Sequence, residues 1–293
     1  MVVPTVDRAA LLERCLSALE AQTVAPDEVL VVHDGDPAVS ALLRAWMGRL
    51  PLVPLQIRQR GVSAKRNAGW RAATGELVAF TDDDCAPTPG WVAALAAAEG
   101  DVLAGPVAAH PDDADVSSVF GRTIEVVAAG PYFPGANVAY RRAALEAVAG
   151  FDEGLTAGED TDLAWRVQEM GAVAAWVPDA LVHHAVRAVR FPHHLRSLWR
   201  WRGLALVVRR HPQLRSLMPG RVFWKDSHPP ALLALVGLLL GLRRRRLLLL
   251  AVPLVARRWL ERGPRFGTQL AVADLAEVSV VLAGSVRHRS VLL

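Results

Sequence analysis

Hydrophobic positions in the first hundred residues alternate between two periods. Met1, Val2 and Val3 form a short apolar run that stops at Pro4 and Thr5, after which Leu11, Leu12, Cys15, Leu16 and Leu19 recur at helical spacing. Asp27 to Val32 is a second apolar run and ends in the turn-rich His33-Asp34-Gly35-Asp36-Pro37, where a buried parallel strand would stop. A helix through Leu42 to Met47 and a strand from Leu52 to Arg58 are expected next. Gly61 to Gly75 carries Ala64, Ala68 and Ala72 at four-residue spacing, which predicts a helix lying close on a sheet. Glu76 to Thr81 then reads as a strand running into Asp82, Asp83, Asp84 and Cys85.

Repeated strand and helix alternation predicts an α/β fold with a mainly parallel sheet. Ligands of such sheets bind at the carboxyl ends of the strands. The polar clusters after Val3, Val32 and Thr81 all fall there. Pro106, Pro111, Pro131 and Pro134 interrupt the middle of the chain; a strand-then-helix pattern resumes over Gly135 to Leu145, and Ala180 to Val182 reads as a short strand. Gly158 to Met170 reads as a loop entering a helix that Gly171 closes.

Beyond residue 186 the pattern changes. Leu195, Leu198, Trp199, Leu206 and Val207 interleave with arginines over Leu195 to Arg210, as expected of a basic amphipathic helix at a membrane surface. Pro230 to Leu242 is an uncharged apolar run, separated by Arg243 to Arg246 from a second one, Leu247 to Ala256. Neither reaches the roughly 20 residues of a spanning helix, so a hairpin in one leaflet or a helix lying on the surface is expected. Leu270 to Val286 contains Asp274 and Glu277, which are costly in hydrocarbon. Trp199, Trp201, Trp224 and Trp259 read as interfacial anchors.

Charge follows the same division. Residues 1–186 hold 13 Lys and Arg against 25 Asp and Glu, a net −12, and residues 187–293 hold 20 against 4, a net +16. The expected boundary is near residue 190, with 1–190 the α/β domain and 191–293 a basic, apolar, helical extension. Arginine pairs with phosphate in nucleic acid and in lipid alike; the leucine runs beside Arg243 to Arg246 favour an anionic membrane over nucleic acid. With 52% hydrophobic and 21% charged residues, the composition excludes a disordered chain. Cys15 and Cys85 lie far apart with no signal-peptide pattern ahead of them, so a reducing compartment and no structural disulfide are expected.

The chemistry concentrates at Asp82-Asp83-Asp84. Three consecutive carboxylates repel one another and are relieved by solvent, a proton or a cation. At a strand end a hard divalent ion such as Mg²⁺ or Mn²⁺ suits them, and a solvated acidic turn is the alternative. Asp160 opens the predicted helix over Thr161 to Met170, where it serves either as a reactive carboxylate or as a helix cap, with Asp162 a competitor. Cys85 reads as a small buried apolar residue.

The run Gly61-Val-Ser-Ala-Lys-Arg-Asn-Ala-Gly69, followed by Ala72-Ala-Thr-Gly-Glu-Leu-Val-Ala-Phe-Thr-Asp-Asp-Asp84, resembles the inverting family 2 glycosyltransferases of GT-A fold. Pro4-Thr5 with Arg8, Asp34, Gly158-Glu-Asp-Thr-Asp-Leu-Ala-Trp-Arg166 and His183-His184 match the same family in the same order, over about residues 1 to 190. The resemblance implies a nucleoside-diphosphate sugar donor and an Asp-x-Asp motif made by Asp82 and Asp84, with a metal on Asp84, Asp82 and His184. It places Pro4, Thr5, Arg8, Asp34, Arg66, Asn67, Asp82 and Asp83 around the donor, Gly135-Ala136-Asn137 at the donor sugar, and Asp160 as the base for the acceptor hydroxyl. His33 stands where many members carry an acidic residue, and members have a longer first strand than Met1 to Val3, so the true start is expected upstream. Ser197 replaces the glutamine of the processive Gln-x-x-Arg-Trp motif ahead of Arg200-Trp201, which implies addition of one or a few sugars. The basic tail adds two expectations: the cytoplasmic side of the cell membrane, and a lipid-linked glycan, glycolipid or envelope polysaccharide as acceptor. A metal-dependent nucleotidyltransferase, which lacks its basic Gly-rich loop here, and a catalytically silent nucleotide-sugar-binding membrane protein are the competing readings.

Overall fold

Short apolar strands alternate with helices through the first half of the chain: β1 (Val2–Pro4), α1 (Ala9–Glu20), β2 (Val29–His33), α2 (Pro37–Trp46), β3 (Leu52–Gln56), α3 (Val62–Ala72) and β4 (Leu77–Phe80). There follow β5 (Cys85–Pro87), α4 (Trp91–Ala97), β6 (Val102–Ala104), β7 (Val107–Ala109), β8 (Val138–Arg141), α5 (Arg142–Ala147), α6 (Glu159–Glu169), β9 (Ala174–Trp176) and β10 (Val182–His184). This computed structural model describes residues 1–59, 61–116, 119–121 and 123–293. Seven strands form one sheet in the order β3-β2-β1-β4-β8-β6-β9, parallel except for β8, which runs antiparallel to both its neighbours. A smaller sheet, β5-β10-β7, pairs β10 antiparallel to β5 and parallel to β7.

Consecutive strand residues serve opposite faces, as the pleat requires. Val3, Val29 and Val31 pack under α1 and α2 with Leu12, Leu16 and Leu43, whereas Val2, Leu30 and Val32 join Trp70, Phe80, Tyr140 and Leu163 on the other side. Burial on both faces is why β1 and β2 are apolar without alternation. The close seat of α3 rests on Gly69, where a Cβ would fall 2.3 Å from Val2 Cγ1. Of the expected alanine stripe, Ala64 is buried and Ala68 packs against the core while Ala72 is exposed; α3 also buries Ser63, Lys65, Arg66 and Asn67, whose polar side chains serve the strand-end cleft.

A second compact unit is made of Leu155–Gly158 and Ala188–Leu293 with residues about Phe120. It contains α7 (Phe191–Leu198), α8 (Leu204–Arg210), α9 (His228–Gly241) and α10 (Val252–His288). The single helix expected over Leu195 to Arg210 is broken by a 3-10 stretch, Trp199–Gly203. Thr156 Oγ1 donates to the Arg200 carbonyl at 2.7 Å, and a Cβ on Gly203 would lie 2.9 Å from that hydroxyl, so close docking of the 155–158 segment tightens the turn.

By length and composition Arg245–His288 is long and apolar enough to cross a membrane. It is not straight. Gly263 adopts φ 74° and ψ 169°, Pro264 follows, and the chain folds back until a Cβ on Gly267 would sit 2.4 Å from the Arg258 carbonyl oxygen. The two carboxylates of the returning arm are paired: Arg258 donates to Asp274 at 2.7 and 2.9 Å, and Lys225 Nζ lies 2.6 Å from Glu277 Oε1.

Candidate active site

The first anchor of the cleft is Asp83, whose side chain is sealed between β1 and β4. Thr5 Oγ1, one residue beyond β1, donates to Asp83 Oδ2 at 2.6 Å, and Arg8 Nε donates to the same oxygen at 3.1 Å. Burial pushes the Asp83 carboxyl up to about 6 against the pull of Arg8 and Thr5. A group so enclosed ties the aspartate turn to the start of the chain through Thr5 and Arg8.

Its neighbours point outward. Asp84 Oδ2 takes Arg8 Nη1 at 2.5 Å and lies 3.9 Å from Arg187 Nη1. The register of β5 against β10 sets His184 opposite Cys85, bringing His184 Nε2 to 3.6 Å from Asp84 Oδ1. The other ring nitrogen, Nδ1, stands 2.9 Å from the Ala185 carbonyl. A carbonyl only accepts, so Nδ1 carries a proton and Nε2 is the ring nitrogen that faces the carboxylate.

Asp84, Cys85 and His184 offer ligand atoms within 4.8 Å of one another. Burial, then Asp82 and Asp84, push the Cys85 thiol well above its usual range, and a thiol is a soft ligand, so a hard cation is matched best by Asp84 and His184. Carboxylate oxygen and imidazole nitrogen together fit a divalent ion.

Asp82 reaches the other wall through Arg66. Arg66 Nη2 donates to Asp82 Oδ1 at 2.8 Å and Nη1 to Glu159 Oε1 at 3.1 Å. Burial opposes the charge on Arg66, yet Asp82, Glu159 and Asp160 more than offset it. Gly135 is required beneath: a Cβ there would lie 2.4 Å from Arg66 Nη2. The Gly135 N–H donates to Asp160 Oδ2 at 3.0 Å and the Thr161 N–H to Oδ1 at 2.8 Å. Burial and then Glu159 raise the Asp160 carboxyl to about 7. Asp162 is fully buried and paired with Arg166 Nε at 2.8 Å, which removes it as a competitor for the same role.

Two further residues are engaged within the protein. Asn67 spends both its groups internally: its amide donates to the Phe151 carbonyl at 2.9 Å and to Glu153 at 2.8 Å, while its oxygen accepts from the Phe151 N–H and Trp70 Nε1, both at 2.9 Å. In this structure Asn67 braces the Phe151 turn behind the cleft. Asn137 likewise holds Trp91, Pro106 and Ala180. Asp34 lies at the end of β2, 3.9 Å from the buried Lys65 Nζ, and Pro4 closes β1. Lys65 and Arg187 were missed from sequence; Lys65 sits one residue before Arg66 on α3, a helical stretch whose polar residues outnumber what a core face needs.

The description "Glycosyl transferase family 2" matches residues 1–114 and "Glycosyl transferase family group 2" residues 94–260. The pre-mycofactocin glycosyltransferase of Mycobacterium tuberculosis is 29% identical over 238 residues, 72% of this chain and 48% of that protein. The amylovoran biosynthesis glycosyltransferase AmsE of Erwinia amylovora is 37% identical over 81 residues, 26% of this chain and 30% of its own. The chain thus spans less than half the length of the curated relatives it matches. Among solved structures, the mannosyltransferase PcManGT from Pyrobaculum calidifontis, in complex with GDP-Man and Mn²⁺, superposes with a TM-score of 0.58 at 22% identity, covering 98% of this chain and 86% of that one. Residues 1–349 of S. aureus TarS with UDP-GlcNAc give 0.53 at 18% identity, covering 99% and 91%. At those identities the likeness shows the fold, which is GT-A, and the family descriptions carry the membership: the chain belongs to glycosyl transferase family 2.

Proposed function

We propose that this chain is an inverting glycosyltransferase that moves a sugar from a nucleoside diphosphate to an acceptor hydroxyl. The observation that carries the reading is Arg66, which joins Asp82 to Glu159 and so holds the aspartate turn and the Asp160 end of α6 at one cleft. The GDP-Man and UDP-GlcNAc in the solved neighbours favour a donor of this class.

Asp84 and His184, with Asp82 nearby, would hold a divalent cation, Mn²⁺ or Mg²⁺, whose positive charge stabilises the departing diphosphate. Asp34 at the end of β2 is positioned for the nucleobase, and Arg8 and Arg187 place two guanidiniums at Asp84 on the diphosphate side. Asp160 takes the proton of the acceptor hydroxyl. As its oxygen bonds to the anomeric carbon, the bond from that carbon to the diphosphate breaks, and the nucleoside diphosphate leaves from the opposite face. A carboxyl raised to about 7 is a stronger base than an ordinary aspartate and is still half ionised at neutral pH.

Residues 1–190 carry the donor site and chemistry in this reading, and 191–293 attach the chain to the cytoplasmic face of a membrane, where a lipid-linked or envelope glycan is the acceptor. Ser197 at the processivity position favours one or a few additions. The test is thermal unfolding of the purified chain with GDP, UDP and their sugars, each with Mn²⁺, Mg²⁺ or EDTA. A stabilisation that needs both nucleotide and metal and vanishes in Asp84→Ala supports the reading. Nucleotide stabilisation untouched by EDTA and by Asp84→Ala contradicts the metal-dependent site.

A further inference from the structure

Over residues 233–266 the helical unit wears its large apolar side chains on the outside. Leu242 and Leu260 are each 88% exposed, Leu249 69% and Leu239 62%. Beneath them α9 buries Ala231, Ala234, Gly237 and Gly241. A Cβ on Gly237 would lie 2.6 Å from the Leu247 carbonyl oxygen and one on Gly241 2.4 Å from Leu248 Cδ2, so the returning segment 245–251 rests directly on this small-residue stripe. A helix folded in water turns its leucines inward and its polar residues out. Small residues at the contact with leucines facing away is how helices pack within lipid.

Length limits how deep this surface can go. The 14 residues of α9 extend about 21 Å at 1.5 Å per residue, short of the roughly 30 Å hydrocarbon core. Arg243–Arg246 follow at once, all exposed and without a carboxylate partner among the described residues. The next arm, 252–262, ends in the reversal at Gly263. Residues 233–266 hold eight arginines against one carboxylate, Glu261, which Arg257 and Arg258 already engage at 2.9 and 2.6 Å.

We propose that 233–266 is a wedge that enters one leaflet of an anionic bilayer, leucines among the acyl chains and the arginines against lipid phosphates, without crossing. Charge selects this occupant. A second copy would bring the same arginines face to face, and a neutral apolar partner would leave them without counter-charge. The proposal rests on the membrane attachment proposed above and assigns it a surface and a depth.

The test uses the full chain with vesicles of phosphatidylcholine, with or without phosphatidylglycerol, read by flotation and by quenching of tryptophan fluorescence with lipids brominated on the acyl chain. Trp259, 46% exposed on the 252–262 arm, is isolated by comparison with Trp259→Phe. The wedge predicts flotation that depends on phosphatidylglycerol and falls roughly 100-fold when Arg243 to Arg246 are replaced by glutamine. It also predicts loss of flotation and of Trp259 quenching in Leu242→Asp with Leu260→Asp, two exposed sites at which unchanged nucleotide stabilisation reports an intact fold. Flotation of that double variant at the wild-type level would overturn the wedge while leaving membrane attachment standing, through another surface. No flotation of the wild type, or a soluble dimer that Leu260→Asp dissolves, would overturn both.

Discussion

His184 Nε2 and Asp84 Oδ1 face each other at 3.6 Å, with the far side of the imidazole spent on the Ala185 carbonyl. Two lone-pair donors so placed repel unless a proton or a cation lies between them. The pairing of β10 with β5 fixes this relationship, so it is built into the smaller sheet and does not wait for a donor to arrive.

Mn²⁺ affinity, read by the loss of the free-ion electron paramagnetic resonance signal, is therefore expected to fall about 10- to 100-fold in His184→Ala. Asp84→Ala is expected to abolish it. Cys85→Ser is expected to leave it unchanged, since a soft thiol adds little to the binding of a hard ion.

The raised Asp160 carboxyl sets a pH dependence. A general base works ionised, so with a folded-state value of about 7 the donor-limited rate is expected to rise through a midpoint near pH 7 and level off about one pH unit higher. An ordinary aspartate would place the midpoint near pH 4. Arg66→Gln removes a cation that opposes the shift, and the inflection is expected to move further up.

Arg66→Lys keeps the charge and loses the fork that reaches Asp82 and Glu159 together. One carboxylate is left unpaired, so thermal stability is expected to drop and the donor KM to rise. Binding and turnover measured on the same sample would separate this from damage at Asp160.

Gly69→Ala places a methyl group 2.3 Å from Val2 Cγ1 and forces α3 off β1. Overpacking of this kind costs about 1–3 kcal/mol, measurable by denaturant unfolding. Asn67→Ala removes four hydrogen bonds about the Phe151 turn, three of them buried, and is expected to cost about 3 kcal/mol, with nucleotide affinity changing less than stability.

Much of this was legible because strand ends announce themselves. The runs ending at Pro4, His33 and Asp82 stop at proline, glycine or aspartate, and the parallel order of β2-β1-β4 then brings their polar ends together. What stayed hidden were partners set by tertiary structure. Three identical residues, Asp82, Asp83 and Asp84, read alike in sequence, yet the turn between β4 and β5 and the bonds from Thr5 and Arg8 hold the middle one inward. Asn67 looked like a cleft residue because its neighbour Arg66 is one, and nothing local announces the Phe151 turn that takes up its amide. The reversal in α10 did leave a mark, the Gly263-Pro264 pair, which ends a helix in any context.

The most direct test of the central claim compares wild type with Asp160→Asn in metal-supported cleavage of the nucleotide sugar at pH 8, with donor binding measured alongside. Asparagine keeps the size of the side chain and can still accept from Gly135 or Thr161, but it cannot take a proton. Donor affinity is expected to stay within a few-fold of wild type, with turnover lowered on the order of 10²- to 10⁴-fold. Turnover retained in Asp160→Asn would contradict Asp160 as the base and return the chemistry to another carboxylate of the cleft.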